Sequence, residues 1–518
     1  MRTDIAAAIL AIALSITLAL GTGDASAQKS KDTLRLPLKF PIDYIAYAYS
    51  GGVVETQFST MAVYDTLINF DEQAAKFVPS LAKSWKQIDD VTTQFELRDD
   101  VKWHDGEAFD ADDVVDSLMW MINPDAKLTN AGNWEWIERV EKTGPHTVRL
   151  ISKRPTPHAF GRLTAGTDIW PVHIVSKLEN RKDFGREPVG TGPYRATQVD
   201  SNKGIILEKF ADYKMASNAK PAGKIGRIHL LPIPDPGTQV AQLLADGVDA
   251  IKEPEVTQVP DLLKDPRFTS FVDQRIAYVY MAIDAKGAAG NKALTDLRVR
   301  KAMFLAVDRE MTTKMSVGDA EIPLVKAMCW KPQQAGCDYT VELPKHNIAE
   351  AKKLLAEAGY PNGFEIEISC YTGTRYTRIA TVVAEQFRQI GLKPKINCVP
   401  GGTYLKLKRE NKIQLVLAGF PAGSMADAGG VLNLFADPQR LDFHGDKEIF
   451  GWAREFAAEM DPEKRMGIGR KIFNAYTERA YVMPVAPIPT QFVMRKEVRI
   501  DGGTLQTPGV MAGNFSWK

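Results

Sequence analysis

The chain has 518 residues, 44% hydrophobic and 25% charged, and its Lys+Arg 65 against Asp+Glu 64 leaves a formal net charge of +1. That length can bury a large core and suggests two to four domains. The even charge balance argues against nucleic acid or an anionic membrane surface as a partner. At the N-terminus, Arg2 precedes an apolar run over 5–20, then Gly21 and Ala25-Ser26-Ala27, the form of a secretory signal peptide cleaved before Gln28. As a helix rising about 1.5 Å per residue the run covers about 24 Å, short of the roughly 30 Å hydrocarbon core, and no basic stop-transfer cluster follows. No cysteine stands at the cleavage site to carry a lipid, so the expectation is a free exported protein, periplasmic in a Gram-negative source.

The next informative stretch is "DDVKWHDGEAFDADDVV", residues 99–115, where seven carboxylates surround His104. It looks like a metal or acid/base site. The preceding "TTQFEL" alternates as a half-buried strand does, pointing Phe95, Leu97 and then Val101 inward. His104-Asp105-Gly106 reads as a turn, and "FDADDVVDSLMWMI" as a helix start with Asp110 as N-cap, Asp113 at N3, and Phe109 stapled onto Val114. Acids in a first helical turn are favoured by the helix dipole, so the clustering needs no ligand. Neither the calcium-loop pattern nor H-E-x-x-H occurs, and no metal or cofactor is expected.

Further on, Gly190, Gly192 and Pro193 in "VGTGPYR" lack the spacing of a dinucleotide loop. "QVAQLLADGVDAI", 239–251, predicts a helix with Val240, Leu243 and Leu244 on one face, Gly247 as C-cap, and then a short strand. Asn347 and Glu350 form an N-cap and N3 pair ahead of the stripe Ala351, Leu354, Leu355 and Ala358. Strands over 364–370 and 393–399 flank a helix carrying Ile379, Val382, Val383, Phe387 and Ile390, which makes a βαβ unit. Four cysteines allow three pairings. Cys329 and Cys337 share one loop and read as a local bridge. Cys370 and Cys398 end the two strands, at one sheet edge if those strands are parallel neighbours, so both pairs are expected as disulfides.

Residues 63–118 carry Val78-Pro79, Leu81-Ala82, Ser84-Trp85, Leu97-Arg98, Trp103-His104-Asp105-Gly106 and Ala111-Asp112-Asp113-Val114 in one order. This pattern resembles the extracellular solute-binding proteins of family 5, the peptide, nickel and related binding proteins that serve ABC importers. "VGTGPYR", "QVAQLLADGVDAI", "LTDLRVRKAMFLAVDREM" and "NIAEAKKLLAEAGYPNGFEIEI" resemble further family segments, so the likeness covers nearly the whole mature chain.

The resemblance implies an α/β fold, a two-lobed periplasmic-binding-protein clam of the large, cluster C type with an extra subdomain inserted in lobe one. Lobe one is placed at about 28–275 plus 488–518, with the insertion at about 56–186, and lobe two at about 276–487. The connectors would lie near "RIAYVYMAID" and "VMPVAPIPT". The implied function is capture of a di- or oligopeptide or peptide-like compound between the lobes and delivery to a membrane ABC permease, by a monomer that performs no chemistry. Nickel, haem, opines and oligosaccharides are alternatives on the same scaffold. An exported hydrolase would need a nucleophile elbow or zincin helix, and neither is present.

Site residues follow from the resemblance. In the family's peptide binders an Asp of a "W-x-x-D-x-x-D-P" loop holds the ligand's amino group; the matching stretch is "GFPAGSMADAGG", 419–430, with Phe420 in the Trp place, no acid at Ala422 or Gly423, a departure from the α-amine pattern, and Asp427 as its one acid. Cys370 holds the position of a family arginine that takes a carboxylate, leaving Arg375 or Arg378 to reach in. Tyr44, after the first strand, whose loop faces the cleft in the family, completes the contacts that the resemblance implies; Trp134 is added from the aromatic pair of "NWEWI", which reads equally as one exposed and one core residue of a strand.

Overall fold

The computed structural model describes residues 32–50, 54–129, 131–164, 166–273, 275–318, 320–421, 426–438, 442–503 and 509–518. The signal segment expected at 1–27 lies outside them. The architecture is α/β, with several separate sheets and the helices that connect their strands.

The first sheet runs Thr33–Leu38, Arg227–Pro232, Gly204–Lys209, Tyr194–Asp200, with a parallel first pair and antiparallel neighbours after it. Between its first two strands in sequence lies a separate four-stranded antiparallel sheet, Ala82–Gln87, Thr92–Leu97, Thr147–Ser152 and Ile137–Gly144. This sheet has its own core, in which Phe95, Leu97, Trp103 and Val114 are fully enclosed. The acid-rich stretch lies on its rim and folds as its local chemistry requires. Asp110 accepts from the Asp112 N–H, and the Asp113 carboxylate accepts the Asp110 N–H at 3.0 Å. The helix Ala111–Met121 starts from that box, while Phe109 and Val114 bury together.

His104 is structural. Its Nδ1 accepts the Gly190 N–H at 3.2 Å and its Nε2 faces the Gly192 carbonyl at 3.0 Å, tying the His-Asp-Gly turn to the Gly-Thr-Gly-Pro turn. Burial pushes its pKa down to about 4, so the ring is neutral at pH 7. A Cβ at Gly190 would lie 1.8 Å from the Val63 carbonyl oxygen, so close backbone packing explains that glycine without a phosphate.

The second large sheet has the order Lys393–Val399, Glu365–Tyr371, Leu415–Pro421, Ala277–Ile283, Val482–Pro487. Its strand "AYVYMAI" is buried throughout because both faces are covered: Val279, Met281 and Ile283 enter one core, and Tyr278, Tyr280 and Ala282 the other. The βαβ unit forms as expected, with its strands parallel and Cys370 directly opposite Cys398. Both expected disulfides are present, with Cα–Cα separations of 5.8 Å and 4.3 Å.

A third, three-stranded sheet of Ala250–Lys252, Thr490–Arg495 and Phe268–Asp273 lies between these regions in the chain's path. The backbone passes from Phe268–Asp273 into Ala277–Ile283, and returns from Val482–Pro487 into Thr490–Arg495. Two short crossings thus join the small sheet to the second large one.

One local expectation needs correction. The helix Pro236–Leu244 buries Leu243, but Leu244 is 43% exposed because the helix rests on its Gln239 and Leu243 side. The left-handed residue after it is Asp246, at φ 61, one position before Gly247.

Candidate ligand-binding cleft

A cavity of about 710 Å³ opens beside the two crossings, within the roughly 300–1,000 Å³ usual for small-solute sites. One wall comes from the ends of the first and small sheets, through Lys39, Lys252 and Glu253, and from the helix Val54–Val63, through Phe58. The facing wall comes from the second large sheet and the helix after its Glu365–Tyr371 strand, through Tyr371, Arg375 and Tyr376. Strand alternation puts Gly419 at the wall and turns Phe420 away. A Cβ at Gly419 would lie 2.4 Å from the Tyr376 hydroxyl, so glycine makes room for the hydroxyl end of that ring against the strand.

The charged groups converge on Glu253. This residue follows the short strand Ala250–Lys252 in a left-handed conformation, φ 51, which is costly for a non-glycine residue and turns its side chain to the cavity. Arg275, at one crossing, donates to Glu253 Oε1 at 2.9 Å. Arg375, in the first turn of the helix Thr374–Gln389, approaches Oε2 at 4.0 Å from the opposite wall. Burial would raise the Glu253 carboxyl pKa, but Arg375, then Arg275, Lys252 and Lys39, hold it below its ordinary value. Glu255 makes a second bridge between the walls, accepting from Thr374 Oγ1 at 2.8 Å and Arg378 at 3.3 Å.

Of the ligand contacts expected from sequence, Arg375 lies at this cavity. The other four lie elsewhere, each for a packing reason. Tyr44 is half-buried against the first sheet's core, its hydroxyl donating to the Tyr49 carbonyl at 3.2 Å and Lys182 4.4 Å above its ring. Trp134 is 1% exposed inside the inserted sheet's core, its indole N–H donating to Thr167 Oγ1 at 3.0 Å. Phe420 is wedged between Tyr278 and Phe435, with ring centroids 5.2 Å and 6.0 Å away.

Asp427 is the most informative departure. It is 2% exposed, and both its oxygens accept from Arg465, at 2.6 Å and 2.8 Å. Oδ1 also caps the Gly429 N–H at 2.7 Å. Arg465 is held in turn by the Phe456 carbonyl at 3.1 Å and lies 3.9 Å over that residue's ring. The carboxylate meant for a ligand ammonium is therefore already neutralised by the protein.

Sequence reasoning passed over Glu253, Glu255, Arg275, Lys39 and Lys252. A signal did exist: "KEPE" directly follows the short strand read from "DGVDAI", and Arg275 opens the segment identified as a connector.

A two-walled α/β receptor with a cavity at a double crossing is the architecture of a solute-binding protein. The profile of the bacterial extracellular solute-binding proteins, family 5, matches residues 76–442, and the chain belongs to that family. The oligopeptide-binding protein AppA of Bacillus subtilis is 28% identical over 373 residues, spanning 68% of this chain and 66% of AppA, just under two thirds of its length. The glutathione-binding protein GsiB of Pectobacterium atrosepticum is 26% identical over 382 residues, 72% of this chain and 71% of GsiB. Among solved structures, the ABC transporter substrate-binding protein CtaP of Listeria monocytogenes shares the fold with a TM-score of 0.80 at 20% identity, covering 94% of this chain and 99% of CtaP.

Proposed function

We propose that the chain is the solute receptor of an ABC importer. Exported and cleaved before Gln28, it takes a di- or oligopeptide or a peptide-like compound between a lobe of about 28–275 with 488–518 and a lobe of about 276–487, and delivers it unaltered, as a monomer, to a membrane permease. The observation that carries this reading is the cavity of about 710 Å³ walled from both sides of the double crossing. Family membership and relatives named for oligopeptides and glutathione support it.

A thermal-shift screen of dipeptides, longer peptides, opines, sugars, haem and nickel tests the reading. A solute at a hundred times its dissociation constant adds about 2.7 kcal/mol. Stabilisation by a peptide-like solute recovered intact is expected. Accumulation of cleaved product, or stabilisation by nickel or a sugar alone, would overturn it.

A further inference from the structure

We propose that the cleft selects an amphipathic solute bearing a carboxylate and no free ammonium group, such as an N-acylated amino acid or dipeptide, with Arg275 and Arg375 as the residues that set this specificity. The inference rests on the solute-receptor reading and narrows it to a charge class.

Three observations converge. First, the charged residues lining the cavity are Lys39, Lys252, Arg275 and Arg375 against Glu253 and Glu255, an excess of cations in a protein whose overall charge is nearly balanced. Both acids are already engaged by arginines, Glu253 by Arg275 and Glu255 by Arg378. An arriving ammonium would therefore compete with guanidinium groups for each carboxylate, whereas an arriving carboxylate meets Arg375, which comes no closer than 4.0 Å to Glu253.

Second, Arg275 is 7% exposed and lines the cavity, and its Nε–H has no hydrogen-bond partner among the described residues. Its Nε is itself enclosed and its one short bond goes to Glu253, so the guanidinium that opens onto the space is that of Arg375, 31% exposed and 4.0 Å from Glu253 Oε2. A carboxylate answers such a planar fork better than any neutral group. Arg375 faces Arg275 across Glu253, so a solute anion placed beside Glu253 would touch both lobes.

Third, the acid that the family pattern offers for an ammonium, Asp427, has both oxygens taken by Arg465 and is enclosed. Phe58, Tyr371, Tyr376 and Phe492 supply the remaining wall, which suits an apolar or aromatic body on the anion.

The test uses matched probes on the purified full-length mature protein: N-acetyl-Phe-Leu (anion), N-acetyl-Phe-Leu-amide (neutral) and Phe-Leu-amide (cation), by isothermal titration at low and moderate salt. The anion is expected to bind at least about tenfold tighter than either amide, as hydrogen bonds to a charged group require, and to weaken with salt. Arg375→Gln is expected to raise the anion's Kd by about ten- to a hundredfold and the neutral probe's by less than about twofold. Arg275→Gln should do the same, but it is buried and can fail to fold. Arg375→Gln, at the helix start and partly open, keeps the test decisive, and Lys395→Gln on the far strand serves as the charge-matched control that changes nothing. Equal or tighter binding of either amide, or an anion affinity unmoved by Arg375→Gln, overturns the inference. So does binding of none of the three probes, and in that case the broader receptor reading is judged separately by the screen of other solute classes.

Discussion

Two carboxylate–arginine sites in this molecule look alike and do opposite work. At Asp427 a bidentate Arg465 satisfies both oxygens, a backbone N–H adds a third bond, and both side chains are about 95% enclosed. At Glu253 one arginine bonds at 2.9 Å, a second stands at 4.0 Å, and 35% of the carboxylate side chain stays open to the cavity. The first site is stoichiometrically closed and holds a loop against a helix. The second has more cation than anion along its lining and one guanidinium at 4.0 Å, beyond hydrogen-bond reach of the acid, which is why the solute carboxylate is proposed to bind there. In the proposed reading the balance of partners is what separates an internal clamp from a receptor site, since an arginine beside an acid occurs in both.

Removing one partner sharpens the contrast most strongly at the closed site. Asp427→Ala leaves Arg465 buried and unpaired, and should destabilise the protein by about 3–5 kcal/mol, read by chemical denaturation. Solute affinity per folded molecule should stay unchanged; a large loss of affinity with little loss of stability would reverse the roles assigned to the two sites. At the open site the pattern inverts. Arg375→Gln should shift stability by no more than about 0.5 kcal/mol, because its side chain is 31% exposed, while binding of a carboxylate probe falls sharply.

The acid-rich stretch 99–115 supplies a third term. Asp110→Ala removes the N-cap of Ala111–Met121 and should cost about 1 kcal/mol with no effect on binding; altered affinity would mean that this turn takes part in the site. The smallest effect concerns pH. Burial holds the His104 pKa near 4, below the ordinary value of 6.5. The unfolded chain therefore binds a proton here more readily than the folded one, so this contribution to stability is complete above about pH 6.5 and is lost as pH falls toward 4. His104→Gln should flatten the loss of stability over that window relative to the parent, on top of a pH-independent loss from the two hydrogen bonds of the ring. An unchanged pH profile would show that other groups dominate acid unfolding.

How much of this was legible depends on sequence separation. The capping box of Asp110 and Asp113 spans three residues and obeys local rules, so the stretch that looked most like a metal site could be read as a helix start. The Cys370–Cys398 bridge followed from one βαβ unit, where parallel neighbours bring the same ends together. Phe420, placed by family pattern, and Trp134, picked as an aromatic, both obey burial first: each packs in a core, and Trp134 has a partner for its N–H. Asp427 misled because its partner stands 38 residues on, on another helix, with nothing in the intervening sequence to announce it. Glu253, Arg275 and Arg375 come from three elements that only the double crossing brings together, so a single-sequence pattern shows each as an ordinary surface charge.

The most direct test is a crystal structure of the mature protein saturated with the solute that stabilises it most. The density of that solute should lie between the two walls, with a carboxylate within hydrogen-bond distance of Arg275 and Arg375 and its apolar part against Tyr371 and Tyr376. Density seated elsewhere, or an ammonium group of the solute resting on Asp427 with Arg465 displaced, would contradict the account.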